Sequence, residues 1–427
     1  MEWARFRKYA RRMRELRQCG TPDFLSLEVF LVMQHCTINK PLFPNLKALR
    51  LWDIEGMSIQ FIPFFLSPST TSISLSFKSN LPEAMIASTI TILPILCPNL
   101  QAISLETLQT AMMITTAISG MLLVTNRNTL QELDVDSPLT KEASEVLYEL
   151  PNLRHLSVAI ERETPLPSAS LPNLAFLTIH CNNEDGWPRL FHGATFGRLK
   201  YIIFYLQSEQ IGDFLGAFER AALSSFIQNT LLTFSVFIKH SWNQNYYSLL
   251  PFTRLVDLEI EFSCDGGCAS RVDDDIIISL LRAMPKLQSL GLGNAPCRQI
   301  TTGVTTKGLL ALAHYCKELW TLRVHLQVAS LSDPLVIPEM VPTTRPTASW
   351  TADCALVELE VGETLVPEGS TSIIALTLHH IFPELCHIVF TDERWEEVED
   401  AINRSRKIID CSSKQLPLAT PSSFRYH

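Results

Sequence analysis

One phrase recurs along the chain and limits its fold more than any other feature: an apolar residue, two variable ones, a second apolar residue, one variable residue and a third apolar residue. It reads Leu46-Lys-Ala-Leu49-Arg-Leu51, then Leu100-Gln-Ala-Ile103-Ser-Leu105, then Leu130-Gln-Glu-Leu133-Asp-Val135. It returns at Leu153/Leu156/Val158, Leu174/Leu177/Ile179, Leu199/Ile202/Phe204, Leu231/Phe234/Val236 and Leu255/Leu258/Ile260. Further copies stand at Leu287/Leu290/Leu292, Leu319/Leu322/Val324, Leu356/Leu359/Val361 and Leu385/Ile388/Phe390, with a degenerate one at Thr70/Ile73/Leu75. The thirteen copies begin between residues 46 and 385 at spacings of 21 to 37, about 28 on average. Amphipathic helices produce one such phrase by accident, but a series at this period marks a stack of supersecondary units.

The second and third apolar positions are two apart, so on a strand they point to the same side, into a core. Proline stands two residues before the first leucine in Pro44-Asn45, Pro98-Asn99, Pro151-Asn152, Pro172-Asn173, Pro285-Lys286 and Pro383-Glu384, where it ends one helix and launches the next strand. Helical spacing fills 82–96, 108–124, 141–150, 209–226, 273–283 and 307–316, so each unit reads strand, loop, helix. The expected fold is α/β: a curved leucine-rich-repeat solenoid with parallel strands on the concave face and helices on the convex face. The expected organisation is a cap at 1–40, the solenoid at 41–392 with a Pro-rich loop at 328–353, a capping helix at 393–411 and a disordered tail at 412–427.

The cap is expected to be a basic amphipathic helix, with Trp3, Phe6, Ala10, Met13 and Arg17 at helical intervals and Arg7, Arg11 and Arg14 elsewhere. The first eighteen residues carry seven cations against two acids, which leaves the rest of the chain near −14 out of a total of −9. Such a body repels phosphate backbones, so no nucleic-acid partner is expected. The longest near-apolar stretch, 111–125, is too short and too interrupted to span a bilayer, so no membrane association is expected. Eleven cysteines without a secretory leader predict reduced thiols and an intracellular setting, cytoplasmic or nuclear.

No segment predicts chemistry. Cys264-Asp-Gly-Gly-Cys268 with Asp273, Asp274 and Asp275 lacks the second ligand pair that a metal needs; it reads as a turn followed by a helix N-terminus. His379, His380, Cys386 and His387 read as surface and core residues. Nucleophile-elbow, zincin, P-loop and full dinucleotide motifs are absent, with Gly291-Leu-Gly293 lacking its third glycine. The expectation is therefore a protein that is not an enzyme, with no catalytic residue, cofactor or metal.

The frame also names the residues that should face outward from the strands. Arg50, Trp52, Ser72 to Ser76 and Glu106 lead to Glu132, Asp134 and Asp136; the middle units give His155, Phe176, His180, Tyr201, Tyr205 and Phe237. Asp257, Glu259 and Glu261 follow, then Arg323, His325, Glu358 and Glu360. Nine acids against two arginines, with aromatic residues between them, predict a protein ligand carrying a basic segment.

The stretch Ile300-Thr-Thr-Gly-Val-Thr-Thr-Lys-Gly-Leu-Leu-Ala-Leu-Ala-His-Tyr-Cys-Lys-Glu-Leu-Trp-Thr-Leu-Arg-Val324 resembles the cysteine-containing leucine-rich repeats common in F-box proteins. Asp353-Cys-Ala-Leu-Val-Glu-Leu-Glu-Val-Gly-Glu363, Ile374-Ala-Leu-Thr-Leu378, Ile381-Phe-Pro383 and Ile408-Ile-Asp-Cys-Ser-Ser413 are similar to F-box-like proteins of mushroom-forming fungi. Trp3-Ala-Arg-Phe-Arg-Lys-Tyr-Ala-Arg-Arg12 resembles their post-F-box helix. The resemblance covers nearly the whole chain and implies substrate recognition for an SCF-type ubiquitin ligase. Two residues precede Trp3, so the F-box module itself is expected to be lacking. An SCF adaptor is then a partner only where an F-box is encoded upstream, and the alternative is a stand-alone leucine-rich-repeat scaffold.

Overall fold

A computed structural model describes residues 2–18, 32, 41–54, 56–107, 112–123, 125–147, 150–160, 171–181, 191, 196–207, 214–224, 227–238, 245–262, 272–293, 303–331, 354–362 and 364–410. The chain forms two compact units, Met1–Ser270 and Arg271–His427. The first holds ten parallel strands in chain order: β1 Glu15–Arg17, β2 Ala48–Ile54, β3 Ser72–Phe77, β4 Ala102–Thr107, β5 Glu132–Pro138, β6 His155–Ile160, β7 Phe176–Cys181, β8 Tyr201–Leu206, β9 Thr233–Ile238 and β10 Asp257–Phe262. The second holds β11 Ser289–Leu292, β12 Thr321–Val324, β13 Glu358–Gly362 and β14 His387–Phe390, also parallel. Each of the thirteen phrases coincides with one strand of β2 to β14, and the fold is the α/β repeat solenoid read from the sequence.

The local reason is burial with period two. In β3, Ile73, Leu75 and Phe77 are buried while Ser72, Ser74 and Ser76 are half-exposed. Because neighbours pair one to one, buried side chains stack from strand to strand: Leu156 on Leu177, Ile202 and Phe234, and Val158 on Ile179, Phe204 and Val236. Each fully buried aliphatic or phenyl group contributes about 1.5–3 kcal/mol by leaving water. Under β8 and β9 the core is aromatic, with Phe218 4.6 Å from Phe234 and 5.2 Å from Phe252.

The turns ahead of the strands are tied by asparagine. Asn45 Nδ2 donates to the Arg11 carbonyl at 2.7 Å, Asn152 to Asn128 at 2.8 Å and Asn173 to Pro151 at 2.8 Å, each reaching the turn of the preceding unit. These side-chain amides satisfy carbonyls that strand pairing leaves over.

Helices fill several intervals, among them Glu83–Leu96, Lys141–Leu147, Phe214–Ser224, Asp274–Ala283, Thr306–Tyr315 and Thr371–Ile381. Among the described residues, the interval between β9 and β10 carries a 3-10 turn, Tyr246–Leu249, and the 108–124 stretch passes from an α-turn, Met112–Ala117, into a π-turn, Ile118–Leu123.

The N-terminal segment departs from expectation. The helix spans Glu2–Ala10 only, with Trp3 stacked on Phe6 and Phe6 against Phe43, and Glu15–Arg17 is strand rather than a continuation of that helix. The edge of β2 decides this: Lys47 and Ala48 both donate to the Arg14 carbonyl, so a strand here pairs backbone groups that a helix would leave unmet. Glu15 forms an ion pair with Arg50 at 3.5 Å, and the Arg17 guanidinium lies 5.0 Å from the Trp52 ring centre. At the other end the helix Arg394–Asp410 buries Trp395 completely, and its Nε1 donates to the Thr364 carbonyl at 2.7 Å. The segment expected as loop from residue 328 begins instead as a short helix, Val328–Leu331, with Val328 and Leu331 buried. The rest of that loop, most of 19–40, the Cys264 to Cys268 pair and the tail 412–427 lie outside the described residues. Among the described residues, no helix is long and apolar enough to cross a membrane.

Candidate partner-binding face

Twelve of the residues expected to face outward lie on strands β5 to β10 of the first unit, and strand pairing sorts most of them into rows. One row runs Glu132, His155, Phe176, Tyr201, Thr233, Asp257. A second, four residues further along each strand, runs His180, Tyr205, Phe237, Glu261. The rows lie about 13 Å apart at ~3.3 Å per residue.

In both rows the rings stack. Phe176 and Tyr201 have centroids 4.2 Å apart and planes 4° apart, with His155 5.6 Å from Phe176. His180 and Tyr205 stand 4.8 Å apart at 8°, and Tyr205 and Phe237 4.9 Å at 12°. These separations follow the strand spacing, so parallel in-register strands with an aromatic at one position must form such a ladder. Phe176 is 41% exposed and Tyr205 36%, which leaves ring edges open to a partner while the faces are spent on each other.

Between the ladders runs a third row, Asp134, Ser157, Thr178, Ile203, Ser235, Glu259. Its middle members are small or short beside the flanking rings, so the ladders border a trench with a carboxylate at each end. The sequence frame missed this floor because Ser157 and Ser235 look like unremarkable spacer positions. Their place on the same face as the ladder residues was legible from the period-two alternation alone.

Burial and charge act on specific groups. His180 is held below the ordinary histidine range by burial, against the pull of Asp134, and its Nε2 lies 3.4 Å from Ser157 Oγ. Tyr205 is pushed up, first by burial and then by the carboxylates of Glu259, Asp134 and Glu261. Asp257 is raised by burial, opposed by the hydrogen bond that Thr233 Oγ1 donates at 2.9 Å. Asp134 accepts from Ser104 Oγ at 3.0 Å.

Two expected members are engaged elsewhere. Asp136 accepts the Thr107 backbone N–H at 2.7 Å and its hydroxyl at 3.2 Å, and burial pushes its carboxyl up to about 6. It latches β4 to β5 rather than presenting charge to a ligand. Arg323 belongs to the second unit, where its Nε meets Glu360 Oε2 at 2.6 Å across the β12–β13 pair.

The histidines and cysteine near the C-terminus do not converge. His379 and His380 sit on the helix Thr371–Ile381, His387 Nδ1 lies 4.0 Å from Glu399, and Cys386 Sγ accepts from the Arg406 guanidinium Nη1 at 2.7 Å. Among the described residues, no group of three or more His, Cys, Asp or Glu is placed to hold a metal ion.

No protein-family model and no curated protein matches this chain. Among solved structures, a chain of the yeast Rad7–Elc1 complex is 16% identical over 61% of this chain and 73% of its own length, with a TM-score of 0.35. A Bacteroides fragilis protein is 12% identical over 64% and 75%, with a TM-score of 0.29. Both likenesses are too remote to bear on function.

Proposed function

We propose that this chain is a protein-interaction module that binds through the strand face of its first unit. The observation that carries the reading is the pair of stacked aromatic ladders bordering a trench with carboxylates at both ends. The rings offer apolar area already held in place, which lowers the ordering cost of binding, and the acids attract and orient a cationic partner. From Asp134 on β5 to Glu259 on β10 there are five strand intervals, roughly 24 Å, the reach of about seven extended residues. The ligand class is a polypeptide segment with a basic residue near each end and an apolar middle. The role is binding, not catalysis.

The resemblance of the sequence to F-box-like proteins supports a narrower reading, substrate receptor of an SCF-type ubiquitin ligase. A stand-alone scaffold is the second reading. The five described cysteines are free thiols, four of them buried, which supports an intracellular setting.

The test is fluorescence anisotropy with a labelled peptide of about seven residues, lysine at both ends and leucine and tyrosine between. Wild-type protein binds it, and the triple reversal D257K/E259K/E261K or Tyr201→Ala weakens binding at least tenfold with circular dichroism unchanged. Equal affinity across these variants defeats the reading. Co-purification with the SCF adaptor from cells separates the ligase role from the scaffold role.

A further inference from the structure

The same strands carry a second surface of opposite sign. Just ahead of β6 to β10, where the chain enters each strand, a depression of about 620 Å³ is lined by Arg154, Arg198, Lys200 and Arg254 and by no acidic residue. All four cations are exposed, and among the described residues none has an ion-pair partner. Such a concentration is out of keeping with a chain that carries 44 acids against 35 lysines and arginines. Two features shape its rim. Arg254 Nη1 donates to the Asn229 carbonyl at 2.9 Å, which fixes that side chain along the rim. Gly197 lets its turn approach the turn before it, since a Cβ there would lie 3.3 Å from the Pro172 carbonyl oxygen.

We propose that this edge is a second binding site, for an acidic polypeptide segment. The cations are spread over four strand intervals, roughly 19 Å, which suits several carboxylates along a chain better than one compact anion. A nucleic acid fits less well. No aromatic residue lines the depression, so bases find no stacking platform in it. The inference is independent of the trench reading, because its ligand has the opposite charge and its residues are different.

The probe is a labelled oligoglutamate peptide of about eight residues, titrated against the full chain by anisotropy, with an oligodeoxynucleotide of similar charge as comparator. Binding is expected to be salt-sensitive and to fall at least tenfold in R198E/K200E. It should stay within about twofold of wild type in R5E/R7E, which makes the same charge change on the N-terminal helix. Circular dichroism checks the fold of both variants. The proposal is overturned if the peptide does not bind, if both variants weaken it equally, or if the oligonucleotide binds more tightly than the peptide.

Discussion

Gly308 and Asp136 show how one side chain decides a local balance. Gly308 lies inside the helix Thr306–Tyr315, where alanine ordinarily gains up to about 1 kcal/mol. Here a Cβ would stand 2.5 Å from Asp274 Oδ1 and 2.6 Å from Val304 Cγ1. Asp274 has little freedom to move, because it accepts hydrogen bonds from the backbone of Thr305 at 2.9 Å and of Gly308 at 3.1 Å. Gly308→Ala is therefore expected to destabilise by about 1–3 kcal/mol, the usual cost of overpacking, and urea denaturation showing a gain would refute that. Asp136 titrates near 6 in the fold against ~3.9 unfolded, so between those values the native state holds a proton that the unfolded chain has lost. Its contribution is greatest at acid pH and declines as pH rises through 6. Asp136→Asn keeps an acceptor for the Thr107 amide and has no such dependence, so wild type should gain thermal stability relative to the variant from pH 7 to pH 5. A constant difference in Tm would sink the assignment.

At the scale of elements, the ladders support the fold. Tyr205 is stacked on both sides, by His180 and Phe237, and each aromatic pair is worth about 0.5–1.5 kcal/mol beyond buried area. Tyr205→Ala should cost about 1–3 kcal/mol in chemical denaturation and Tyr205→Phe less than about 0.5, whereas equal effects would mean that the hydroxyl, not the stack, matters. The outward aromatics were legible in the sequence, because alternation assigns Phe176, Tyr201 and Tyr205 to one side of their strands. Their stacking was not, since it depends on one-to-one register between units whose spacing varies from 21 to 37 residues. The strand Glu15–Arg17 was hidden for another reason: Met13 and Arg17 fit a helical period as well as a strand, and only the pairing need of β2 decides. The asparagines after Pro44, Pro151 and Pro172 stood in plain view beside their prolines, but the carbonyl each one meets lies a full unit away. The basic edge was concealed by the net charge, which averages it with the acidic face.

For the molecule as a whole, stability in a repeat array is close to a sum over neighbouring units, so it need not be lost in one step. Each of the two compact units has its own buried core, including Phe218, Phe234 and Phe252 in the first and Trp395, Leu378 and Phe382 in the second. Urea unfolding followed by far-ultraviolet circular dichroism and by tryptophan fluorescence is expected to give midpoints that do not coincide. One superimposable transition in both signals would show the units to be a single cooperative body.

The spacing of the ladders also sets a pitch for whatever lies along them. Rungs repeat every ~4.8 Å, so alternate rungs are ~9.6 Å apart. A β-strand ligand turns the same side outward every ~6.6 Å and falls out of step at once. A polyproline II segment does so every three residues, ~9.3 Å, and stays commensurate with every second rung. Each ladder has three rungs, so an extended ligand of the length proposed above that takes the polyproline II form, with a side chain recurring every three residues, would meet the first and last of them.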